Sequence, residues 1–175
     1  MLILIGIGVV VAVVAVLRGE PLGETLAKVV NTAVVTGIFG AMAIACADVG
    51  EKRPSVLAHV AVVASCVAVA VFFVGIWLEA ARHPVWWKAM AISTVYAIGL
   101  WRAARLSLAN IDGVLGVVLV RGTITATLLI PTIIALMVLR EQATPLMLRV
   151  MNACWIVSIG GHVAVPILAR LQRKS

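Results

Sequence analysis

Apolar residues run along this chain for about twenty positions at a time, and short polar clusters interrupt the runs. The runs show neither the alternation of a half-buried strand nor the one-sided stripe of a surface helix, so they predict helices that are apolar all round. Six segments result: 1–17, 26–48, 55–78, 86–106, 116–139 and 146–168. Each is close to the length that crosses a bilayer as a helix. The interruptions have turn composition, as in Arg18–Glu24 with one proline and two glycines, Asp48–Pro54, Glu79–Lys88 and Asn110–Gly113. The expected fold is an all-α membrane protein, a six-transmembrane-helix bundle in a single transmembrane domain over 1–175. A membrane β-barrel would alternate lumen and lipid residues, and no such alternation is present.

Details within the runs refine the reading. Met1–Leu17 lacks a basic leader and a small-residue cleavage site, which predicts a retained helix rather than a signal peptide. In 26–48, Ala33, Gly37, Ala41 and Ala45 recur every fourth residue and form a stripe of small side chains. Such a stripe lets a second backbone approach closely in lipid, so this helix is expected to be the packing hub. In 86–106, Lys88 and Arg102 lie inside the span, and both must reach outward past tryptophans to the interface. In 116–139, Pro131 removes a backbone bond and kinks the helix, with Thr127 four residues earlier near the break.

Composition confirms the class: 63% of residues are hydrophobic, 12% are charged, and the mean hydropathy is +1.17. Soluble domains carry about twice that charged fraction. The net charge of +7 comes from 14 Lys+Arg against 7 Asp+Glu, placed singly or in pairs at the ends of apolar runs. Bases so placed meet lipid phosphates and set orientation, and they form no stripe to track a nucleic acid backbone. With six spans, eight of the 14 bases fall on the face holding both termini, which predicts cytoplasmic termini; Arg18 argues locally for the reverse. Cys46, Cys66 and Cys154 show no metal-ligand spacing and read as small apolar residues, with no metal site. The partners expected are membrane lipids and either other membrane subunits or a homo-oligomer.

Candidate chemistry is sparse. No Asp, Glu or Lys lies in a span beyond reach of an end, whereas proton-coupled transport and intramembrane hydrolysis usually require one. No hydrolase, zinc-protease, phosphate-loop or dinucleotide motif is present, so no catalytic residue and no cofactor is assigned. His59 and His162 stand at similar depth and are weak candidates for haem ligands. Thr123, Thr127, Pro131 and Asn152 form a candidate polar pathway. The plainer reading is that such groups only hydrogen-bond between helices, at about 0.6 kcal/mol apiece. Trp101, Arg102 and Arg105 form a candidate site for a lipid headgroup, though the same residues also suffice as an anchor.

The order of features resembles a group of uncharacterised bacterial six-helix membrane proteins. The matching stretches are Gly19-Glu20, the Ala/Gly/Cys-rich second helix, Glu51-Lys52-Arg53, Ile76-Trp77, Trp87-Lys88 and Val165-Pro166-Ile167-Leu168. That resemblance implies a multi-pass protein of the bacterial plasma membrane and no particular activity. It also implies a small polar residue where this chain has His162. The function expected is a non-enzymatic accessory or scaffolding subunit within a membrane complex. The alternatives are a small transporter or channel around Pro131 and, third, a haem-binding or other intramembrane enzyme.

Overall fold

The computed structural model describes residues 23–52, 55–78, 83–109, 111 and 113–172. Among them are five helices and no strand: α1 (Glu24–Lys52), α2 (Val56–Trp77), α3 (Pro84–Leu106), α4 (Val114–Arg140) and α5 (Pro145–Gln172). Local chemistry explains several boundaries. Pro84 and Pro145 open α3 and α5, where a missing N–H is harmless and φ is already helical. Thr144 caps α5 by accepting a hydrogen bond from the Met147 N–H at 3.2 Å. Gly113, at φ 90°, turns the chain into α4 in a conformation that favours glycine.

Four of these helices, α1, α2, α4 and α5, are long and apolar enough to cross a membrane. The six spans expected are not carried by the described residues. Segment 1–17 lies outside them. Helix α3 has the length but not the apolar composition, because Trp86-Trp87-Lys88 begins it and Trp101, Arg102 and Arg105 end it. It is nonetheless central in the packing.

Consecutive helices pack side by side, and α1 also reaches α3 across one edge of α2. The register is explicit in two core layers. One holds Phe39, Ala68 and Ala97, and the next holds Cys46, Ala61 and Ala104. From the first layer to the second the chain advances seven residues in α1 and α3 and retreats seven in α2, so neighbours run antiparallel. Seven residues is two turns, the repeat of knobs-into-holes packing.

The buried small-residue seam lies on α2 rather than α1, and among the described residues α3 is the helix that meets three neighbours. Ala58, Ala61, Ser65, Ala68 and Gly75 are all buried along one seam of α2. Of the stripe expected on α1, Gly37 is buried, Ala33 and Ala45 are half-buried, and Ala41 is exposed among the described residues. The α1 side chains that pack are Val30, Phe39, Cys46 and Val49, along a different line of the helix. Phe39 reaches Phe72 with ring centroids 5.8 Å apart. Short side chains along the α2 seam let α1 and α3 both approach it.

Polar groups at the helix ends tie the row together. The Lys88 ammonium on α3 pairs with the Glu141 carboxylate just beyond α4, at 2.5 Å. Glu141 holds a left-handed φ of 55°, where glycine is usual. Its hydrogen bond and charge interaction with Lys88 hold the carboxyl below the usual glutamate range. On another edge the Trp77 indole N–H donates to Thr32 Oγ1 at 3.1 Å, joining α2 to α1.

Candidate functional site

The polar residues of α4 meet α5 and α3 in a closed seam. Thr123 and Thr127 lie one turn apart on α4, and both are buried. Each threonine hydroxyl donates to the carbonyl four residues back, Thr123 to Leu119 O and Thr127 to Thr123 O, both at 2.7 Å. A hydroxyl has one hydrogen, so Thr127 is left as acceptor toward Ser158 on α5, which donates to it at 2.9 Å. Ser158 is fully buried, on the line Cys154, Ser158, Gly161, Val165 that faces α4.

Glycines set the closeness of these contacts. A Cβ placed on Gly161 would fall onto Thr123 Oγ1 and Cγ2 and lie 2.7 Å from Thr123 Cβ. A Cβ on Gly99 of α3 would lie 2.9 Å from Pro131 Cγ and 3.5 Å from the Thr127 carbonyl oxygen. That carbonyl is the one Pro131 leaves without its helical donor. Backbone freed at this depth must face water or protein, and here it faces the Gly99 backbone of α3. Thr132 donates to Leu128 O at 3.0 Å and receives the Tyr96 hydroxyl at 3.3 Å. The hydroxyls of Thr123, Thr127, Thr132 and Ser158 are therefore satisfied by helix carbonyls and by one another.

Of the candidate pathway, Thr123, Thr127 and Pro131 come together, but Asn152 is exposed and takes no part. Its position on α5 is off the Cys154–Ser158–Gly161 line, which spacing by three and four defines. The two histidines are not brought together either. His59 is exposed, with Nδ1 3.0 Å from Ser55 O, and it borders a cavity of about 410 Å³ beside Cys46 and Gly50. His162 borders a different cavity. Among the described residues no three metal-ligating side chains cluster. Cys46 and Cys154 are buried as small apolar residues, whereas Cys66 is exposed.

The second cavity, about 460 Å³, opens between the end of α3 and the last turns of α5. Trp101, Arg102 and Arg105 line it as a group, and the structure adds His162 and Arg170 from α5. The Arg105 guanidinium stands 5.5 Å from the Trp101 ring centroid. His162 Nδ1 lies 2.7 Å from the Ser158 carbonyl, which can only accept, so Nδ1 carries the proton. In the neutral ring Nε2 is then an acceptor. That atom and the Trp101 indole N–H are both buried without a hydrogen-bond partner.

Sequence reading missed the α2 seam, the Gly99 and Gly161 contacts, and the joining of α5 to the Trp101 cluster. For the first a signal existed, since positions 58, 61, 65, 68 and 75 follow a three-four-three-seven spacing in small residues. Comparisons with family models, with curated proteins and with solved structures returned no match.

Proposed function

We propose that this chain is a non-enzymatic integral protein of the bacterial plasma membrane, an accessory or scaffolding subunit that packs against other membrane subunits or copies of itself. The observation that carries the reading is the Thr127–Ser158 contact. The buried hydroxyls of Thr123, Thr127 and Ser158 are hydrogen-bonded and closed in by glycine, as in a rigid packing element. A transport path along the same residues would leave those hydroxyls free to meet water or a solute. The outward flanks carry large apolar side chains, such as Ile156 on α5 and Val63 on α2, suited to lipid or to another membrane helix. In this reading the chain has six spans with 1–17 as the first, and both termini lie in the cytoplasm, following the bias of its bases.

Affinity purification from native membranes in mild detergent tests the reading. A membrane protein or a second copy should co-purify in fixed ratio through size exclusion. A monomer with no stable companion, together with solute uptake in proteoliposomes, would replace it by the transporter.

A further inference from the structure

We infer that the cavity between the ends of α3 and α5 binds the headgroup of an anionic phospholipid, with the phosphate held by Arg102, Arg105 and Arg170. Three guanidinium groups border one opening of about 460 Å³, and among the described residues no carboxylate borders it. Among the described residues none of the three arginines forms a salt bridge. Guanidinium donors match phosphate oxygens in a fork geometry, so the charge pattern calls for an anion with several acceptor oxygens.

The site stands at the C-terminal ends of two helices, where backbone dipoles repel an anion. Dipole compensation alone accounts for a basic residue there. It does not account for two polar atoms buried in the same wall without partners, the Trp101 indole N–H and His162 Nε2. Groups of that kind usually have a partner. A phosphate oxygen supplies an acceptor for the indole, and a headgroup hydroxyl supplies a donor for the imidazole. Both atoms lie within the wall, so seating a headgroup requires these two side chains to turn toward it.

The rest of the lining favours a lipid over a free phosphate. Leu108, Val165 and Pro166 give the cavity an apolar side, and Ile167 and Leu168 continue it along the exposed flank of α5. An acyl chain would lie along that flank while the headgroup met the arginines. The inference does not depend on the subunit reading, since a transporter would present the same surface to the bilayer.

The test is native mass spectrometry of the full chain titrated with phosphatidylglycerol, phosphatidylcholine or soluble glycerol phosphate. Phosphatidylglycerol should bind at least about tenfold more tightly than phosphatidylcholine, given about fivefold for each arginine near the surface. The R105Q/R170Q variant should lose most of that preference. W101F keeps the ring but removes the N–H, and it should weaken phosphatidylglycerol several-fold without changing thermal stability. R149Q, which alters a base outside the cavity, should bind as the parent does. Equal binding of the two lipids, an equal loss in R149Q, or no loss in W101F would each overturn the proposal. Glycerol phosphate binding as tightly as the lipid would overturn the lipid assignment.

Discussion

Gly161→Ala isolates the close approach of α5 to α4. The new methyl falls onto Thr123, and one of the atoms it meets, Cβ at 2.7 Å, is fixed to the α4 backbone and cannot swing away. Overpacking of this kind costs about 1–3 kcal/mol, and a rigid neighbour places it toward the upper end. Separating the helices also lengthens the Thr127–Ser158 hydrogen bond, worth about 0.6 kcal/mol. Replacing glycine by alanine in a helix returns about 1 kcal/mol. The net loss is about 1.5–2.5 kcal/mol. The adjacent Gly160→Ala is the internal control, because a Cβ there meets nothing within 4 Å. It should be neutral or stabilising by up to about 1 kcal/mol. Reversible unfolding in mixed micelles with rising SDS fraction reads both variants. Adding Thr123→Ala to Gly161→Ala should recover part of the loss, since Oγ1 and Cγ2 go while Cβ stays. If Gly161→Ala and Gly160→Ala prove equally stable, α4 and α5 are not packed as described.

Three further outcomes are expected. Gly99→Ala should destabilise by about 1–3 kcal/mol because its Cβ meets the Pro131 ring, and Pro131→Ala in the same chain should relieve it; the same micelle unfolding reads both. The Lys88–Glu141 pair should make stability depend on pH in one direction. Because folding lowers the Glu141 pKa below its ordinary 4.5, the contribution is complete above that value and is lost as pH falls through the lowered one. Thermal unfolding should show this acid loss in the parent, and Glu141→Gln should remove it. Finally, reporter fusions at Ser175 should behave as cytoplasmic and fusions in the Glu79–Lys88 connection as external, with the opposite pattern showing that Arg18 sets the orientation.

Where the described helices lie was legible because lipid demands it: a run of apolar residues between turn signals has few other solutions. Described helices accordingly begin and end within a few residues of the apolar segments, as with Val56–Trp77 for 55–78. Which face of a helix packs was harder to read, because these helices are apolar on every side and no polar face points away from the core. The stripe on α1 has regular four-residue spacing, yet Ala41 is exposed, and the seam on α2 has the seven-residue rhythm that neighbours on both sides require. Thr127 and Pro131 were legible together because a proline exposes the carbonyl four residues back. That the carbonyl meets Gly99 was not legible, since nothing local links position 99 to position 131. Arg102 and Arg105 marked a candidate headgroup site by their place beside Trp101. His162 and Arg170 join them only through the antiparallel return of α5.

The most direct test of a closed seam is thiol labelling at position 127. In a background with Cys46, Cys66 and Cys154 replaced, Thr127→Cys is exposed in membranes to a small water-soluble maleimide, and a cysteine at exposed Glu141 serves as the positive control. Thr127 is 3% exposed and bonded to Ser158, so position 127 should stay unlabelled while position 141 reacts fully. Rapid labelling at 127 from the aqueous side would show water in the seam, and would contradict the packed scaffold in favour of a transport path.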